Sequence, residues 1–331
     1  MRTGTRLGMV FGLALSVAGC GDDDGDTDSG TPPPPPPADM GPREDGDPPP
    51  PPPPTFELPA EVPVAERQDS MMPADFSCLG MRTRPMGEGM NRMFDMQVND
   101  FQTGDPVPEV TVQFFPDNIV LDTCSGDCLE GESSEMGVVG GRGEIGGWFA
   151  YRVLPKAGPT PPSTVVGAVQ YNEPTPAEGE TWEGNSVSEA TLRLIPTVFG
   201  FRRAAGTGLV AGTVFDCNGD AVRGGVIRMF LPDGSEVVEG MAMSDPHHEY
   251  FDGEEFPSPD QIHTNTDGLY ASANVPPSGT EPMRIEAWGR LESGGPAVLL
   301  GCEEGRTFAD TVTIMNLEPL RSDAPDGCGA Q

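Results

Sequence analysis

From residue 69 onward, hydrophobic and polar side chains alternate in short runs broken by Gly, Pro and Asp, and no long stretch repeats at the helical period of 3.6. The first clear run is Phe94-Asp95-Met96-Gln97-Val98, followed by a Thr103-Gly104-Asp105-Pro106 turn and the strand Val110-Thr111-Val112-Gln113-Phe114. Val110, Val112 and Phe114 fall on one face of such a strand. Gly147 to Val153 and Val165 to Tyr171 read as further strands. The pattern predicts an all-β fold.

The second half repeats this order. Leu209 to Phe215 reads as a strand, Asn218-Gly219-Asp220-Ala221-Val222 as a turn, and Val226 to Phe230 as the next strand. Thr266-Asp267-Gly268-Leu269-Tyr270, the bend Val275-Pro276-Pro277 and Arg284 to Trp288 follow. Gly219 lies 115 positions after its counterpart Gly104, about one domain length. The expected organisation is therefore two Greek-key β-sandwich modules, at 69–200 and 201–331.

The second module, through Asp216, Gly219, Thr266, Asp267, Gly268, Tyr270 and Pro276, resembles the carboxypeptidase regulatory-like module, a transthyretin-like β-sandwich. The first departs further, with Trp148 in the aromatic position and Ile145-Gly146-Gly147 replacing Thr-Asp-Gly. The resemblance implies a regulatory appendage without zinc peptidase chemistry. Gly supplies positive φ in the turn and Asp bonds its own backbone, so the recurring residues have folding roles.

The N-terminus carries Arg2 and Arg6, an apolar stretch from Leu7 to Val17, and then small residues, the order of a secretory signal. Leu15-Ser16-Val17-Ala18-Gly19-Cys20 resembles the lipobox of bacterial lipoproteins. That resemblance implies a signal peptide at 1–19, acylation of Cys20 and anchoring through lipid. Gly21 at the next position implies sorting to the bacterial outer membrane. Residues 20–68 are rich in Gly, Asp and Pro, with proline runs at 32–37 and 48–54, and read as a disordered, extended tether. An EF-hand count from Asp24 through Asp26 and Asp28 fails, because Ser29 and Pro35 occupy the positions of the required Gly and Glu.

A formal charge of −33 repels polyanions and excludes nucleic acid as a partner. An unidentified envelope protein or glycan is the expected partner beside the membrane itself. Six cysteines follow Cys20, and an even number in an exported chain favours disulfides, with 15 possible pairings. The expected bonds are Cys124 to Cys128, Cys217 to Cys302 and Cys78 to Cys328. Zinc at Cys124 and Cys128 lacks a second ligand pair nearby.

His247, His248 and His263 lie in one acidic insertion and form the only candidate metal-binding set. Neighbouring residues of a strand point to opposite faces, so His247 and His248 share an ion only on an irregular loop. Intradiol ring-cleaving dioxygenases place two Tyr and two His around iron on a similar sandwich. Here Tyr250, Tyr270, His248 and His263 supply the residue types, but the His-x-His segment of that family is missing. No Gly-x-Ser-x-Gly elbow occurs. The sequence thus predicts a non-catalytic, cofactor-free lipoprotein acting in binding, adhesion or surface structure. A metal-dependent extracytoplasmic enzyme or metal-binding protein is the alternative.

Overall fold

The computed structural model describes residues 56–67, 72–82, 87–156, 164–193, 201–253 and 257–328. The signal segment, Cys20 and most of the tether lie outside these residues. The described part belongs to one compact unit beginning at Phe56. It is all-β, as expected.

Seven strands form the first sandwich. One layer contains β2 (Asn91–Asp100), β5 (Val138–Glu144) and β8 (Thr181–Ser188), with β2 antiparallel to β5 and parallel to β8. The facing layer contains β3 (Thr111–Phe115), β4 (Leu129–Glu132), β6 (Trp148–Leu154) and β7 (Val165–Pro174). Alternation along β2 sends Phe94, Met96 and Val98 inward, against Val112, Phe114, Phe149 and Tyr151, while Met93 and Asp95 face solvent. Val110, Val112 and Phe114 do share this core.

The second sandwich sets β11 (Val226–Phe230), β15 (Met283–Gly289) and β16 (Val298–Gly305) over β9 (Gly208–Thr213), β12 (His247–Phe251) and β14 (Leu269–Val275). Two-residue strands β10 (Val222–Arg223) and β13 (Pro257–Ser258) pair with β1 (Glu66–Arg67) and β12 respectively. Val210, Met229, Tyr250, Tyr270, Ile285 and Leu300 fill the core.

The last strand, β17 (Thr311–Ile314), joins the halves. It runs parallel to β7 on one side and to β9 on the other, so one sheet continues from β13 through β17 to β4. Strands near this junction are buried on both faces. In β6, Phe149, Tyr151 and Val153 enter the first core while Ala150 enters the second. Arg152 lies on that second face and donates two hydrogen bonds to Gln113 Oε1, at 2.8 and 2.5 Å.

The sequence offset carries β3 onto β11 and β7 onto β15, yet the pairing is not repeated. β11 pairs directly with β15, whereas β3 pairs with β6. The local similarity lies in turns and strands, not in the ladder.

Chain entry also differs from the compositional expectation of a tether to residue 68. Leu58, Val62 and Ala65 are buried, and Arg290 donates to the carbonyls of Leu58, Pro59 and Val62 at 2.9, 3.0 and 2.8 Å. Phe56 packs edge-on against Trp288, with centroids 5.4 Å apart. This strap lies on the second sandwich, so the first sandwich is an insertion between the strap and β9. Spaced apolar side chains among Pro and Glu supply the burial that average composition conceals.

Candidate functional site

The six described cysteines form three disulfides, and two of the expected pairings are corrected. Cys124 bonds Cys128 as expected, but Cys78 bonds Cys217 and Cys302 bonds Cys328. The strap explains the first correction, because it lays Cys78 beside the turn after β9 rather than beside the C-terminus. At that turn the buried Asp216 carboxylate accepts from Arg67 Nε and from the backbone N–H groups of Asp75, Asn218 and Asp220, at 2.8 to 3.0 Å. Asp216 therefore closes its own turn and also fastens the strap. The second correction follows from the C-terminal segment folding along β16. Leu320 N–H donates to Leu300 O at 2.7 Å, and Arg321 pairs with Glu303 at 2.5 Å, both side chains being buried.

The three histidines do not converge. His247 stacks on Phe201 at 5.6 Å, with its Nδ1 3.8 Å from Glu239. His248 has both ring nitrogens engaged, Nδ1 with Ser272 Oγ at 2.7 Å and Nε2 with Val237 O at 2.8 Å. A carbonyl only accepts, so Nε2 carries the proton and donates. His263 is buried, its Nδ1 bonded to Thr264 O at 2.8 Å, and burial pushes its pKa below the usual imidazole value. Among the described residues no group of three or more His, Cys, Asp or Glu stands together as a metal site.

The two tyrosines are core hydroxyls. Tyr270 donates to Met315 O at 2.6 Å, and Tyr250 accepts from Ile227 N–H at 2.9 Å. Burial pushes the Tyr250 pKa up to about 12 and drives Tyr270 higher still. Each of the four side chains matching the dioxygenase residue types is thus committed to a separate structural bond.

A more suggestive constellation sits where the halves meet, and the sequence pattern did not single it out. Asp122, Pro277, Gly279, Thr280, Arg306 and Phe308 line an open cleft of about 250 Å³. Arg306 donates to Asp122 Oδ1 at 2.6 Å, Val120 O at 3.1 Å and Gly279 O at 2.7 Å, joining the two sandwiches. Arg152 and Arg306 lie over Phe308, at 5.3 and 4.9 Å from its centroid. Their donors are turned onto protein acceptors, so the cleft offers shape and a cationic floor but no assembled nucleophile. A lone Arg after Gly305 and an Asp within a turn-rich loop carry no sequence signal for this junction.

Glu173 is buried nearby on β7, where it accepts from Gln170, whose Oε1 in turn accepts from Tyr151 at 2.7 Å. Burial raises the Glu173 pKa to about 7. Among the described residues no helix is long and apolar enough to cross a membrane.

The chain matches no protein-family model and no curated protein sequence. Among solved structures it is aligned with a shaft pilin, SpaA from Lactobacillus rhamnosus GG, at 7% identity, covering 70% of this chain and 98% of the pilin, with a TM-score of 0.20. The major pilin from Streptococcus pyogenes gives 10%, 70%, 99% and 0.19, and a streptococcal ancillary pilin 11%, 70%, 63% and 0.18. Scores this low transfer no site or activity.

Proposed function

We propose that the chain is an exported, lipid-anchored protein that binds, adheres or braces at a bacterial outer membrane, without catalysis. The observation carrying this reading is the cysteine balance. The chain has seven cysteines; the six described ones are joined in disulfides, and the seventh, Cys20, stands at the lipobox-like position outside the described residues. Disulfides suit an oxidising compartment, and a single remaining thiol after an apolar leader suits acylation. The strap from Phe56 onward fastens the start of the folded part to the second sandwich. The protein's partner is an envelope protein or glycan, recognised by loops or by the junction cleft. The carboxypeptidase regulatory-like resemblance of the second half agrees with an appendage role.

The test is fractionation of cells expressing the full chain or Cys20→Ala, with detergent phase partitioning. The wild type should enter the membrane and detergent phases, and the variant should become water-soluble. Identical partitioning of both would remove the anchor from the proposal. Pull-down with the chain from Phe56 onward, against the cleft variants Arg306→Ala and Phe308→Ala, would then assign or clear the junction.

A further inference from the structure

We propose that the Asp245–Pro246 peptide bond is a self-cleavage site. The bond lies in the loop before β12, and its surroundings polarise it. Continuing the β12–β14 register one step beyond His247 and Ala273 sets Asn274 opposite Pro246. β14 bulges against β9 between Ser272 and Val275, and Asn274 adopts φ of 55°. A bulge re-aims a side chain, and a non-glycine residue held in the left-handed region stores strain, features that cluster at reactive sites. Here the buried Asn274 amide nitrogen is aimed at the Asp245 carbonyl oxygen, at 3.0 Å, and also at Arg202 O and Met243 O, at 3.0 and 3.3 Å. Ala204 N–H fixes the amide from behind, donating to its oxygen at 2.8 Å.

The other participants adjoin the bond. Asp245 Oδ2 is held by Ala242 N–H at 2.9 Å, and Pro246 O accepts from Gly240 N–H at 3.1 Å. His247 Nε2 is enclosed and makes no hydrogen bond to a described residue. Phe201 stacks on the ring and Ala273 lies opposite, while Glu239 and Glu249 are the carboxylates that face it.

In the reaction, an Asp245 carboxylate oxygen adds to the carbonyl carbon of the same residue and closes a five-membered ring. The carbonyl oxygen takes the electron pair and is stabilised by the Asn274 amide. Collapse expels the Pro246 nitrogen, which takes a proton delivered by His247 as general acid. One water then opens the cyclic anhydride, leaving two carboxyl groups on Asp245 and returning a proton to His247. The net change is hydrolysis of one peptide bond, with no oxidant or reductant. Proline is a suitable leaving group because its ring nitrogen departs as a basic secondary amine. No disulfide crosses this point, since Cys78, Cys124, Cys128 and Cys217 precede it and Cys302 and Cys328 follow it. The two chains would stay together through β9–β14, β11–β15 and β9–β17 pairing.

The test incubates the full chain at a series of pH values from about 5 to 8 and follows intact mass and denaturing gels without reductant. The expected product begins at Pro246, and the two chains together weigh one water more than the parent. Asp105–Pro106 is the internal control, because it is followed by Val107 and, among the described residues, its carbonyl accepts from a backbone N–H, that of Asp100. Scission at Asp245 should be at least about tenfold faster than at Asp105, a modest demand on general-acid and oxyanion effects. Asp245→Ala should abolish it. His247→Gln and Asn274→Gly should each slow it, the latter replacing a strained residue with one suited to positive φ. An intact 245–246 bond in the folded wild type, a rate equal to the control, or an unchanged rate in His247→Gln would overturn the proposal.

Discussion

Replacing Glu173 by Gln removes one ionisable group from the molecular junction and keeps its shape. The folded-state pKa is raised to about 7 against an ordinary value of 4.5, chiefly by burial, with the Glu318 charge adding to it. Below about pH 4.5 both states hold the proton, and the group has no effect on the folding equilibrium. Between the two values the folded state binds more protons than the unfolded chain, so stability falls as pH rises, and the loss is complete above about 7. At about 1.4 kcal/mol per pKa unit, the loss is on the order of 3 kcal/mol. Glu173→Gln should escape it, because the amide oxygen still accepts from Gln170. Urea unfolding at several values between pH 4.5 and 8 reads the difference between variant and wild type. That difference cancels the general self-repulsion of a chain with formal charge −33, which both proteins share. The variant should gain about 3 kcal/mol more at pH 8 than at pH 4.5. Parallel curves would show that the Glu173 carboxylate is solvated, and the reasoning would fail.

Three other perturbations bear on the strap, the junction and the histidines. Replacing both Cys78 and Cys217 by Ser should cost about 2–4 kcal/mol and expose the strap to proteolysis ahead of the sandwiches, as limited digestion would reveal. Truncation before Thr311 removes the strand between β7 and β9 and should destabilise both cores together, seen as loss of two-state unfolding and of near-UV circular dichroism. His248→Ala strands Val237 O and the Ser272 hydroxyl and should cost about 1–3 kcal/mol, with no change in metal content by elemental analysis. A stoichiometric metal lost in that variant would restore the metal-binding alternative.

Strands with strong alternation were legible from the chain alone. β2, β3, β6, β7, β9, β11 and β15 overlap the predicted runs; in β2 and β11 burial of one face imposes the alternation, β6 and β9 are largely buried on both faces, and β14 overlaps the expected Thr266–Tyr270 segment only at Leu269 and Tyr270. Others were hidden by composition. β5 reads Val-Val-Gly-Gly-Arg-Gly-Glu, with only Val139 buried among its large apolar residues, and β16 carries Glu303 and Glu304 before its final Gly305, with Arg321 of the C-terminal segment paired to Glu303. β17 is four residues long, and what defines it is its position between two distant strands, which no local pattern encodes. The same limit applies to the candidate sites. The histidines drew attention because metal ligands are recognisable as residue types, yet each satisfies a local bond. Asn274 and Arg306 act through where a bulge and a junction aim them, and that information is tertiary. Cysteine parity indicated disulfides, but the partners depended on the strap crossing to the second sandwich.

Mass spectrometry of the mature protein, purified from cells and digested without reduction, tests the central claim most directly. The account predicts an N-terminal peptide beginning at acylated Cys20, together with Cys78–Cys217, Cys124–Cys128 and Cys302–Cys328 cross-linked peptides. An unacylated Cys20 or free thiols among the other six would contradict an anchored, exported molecule.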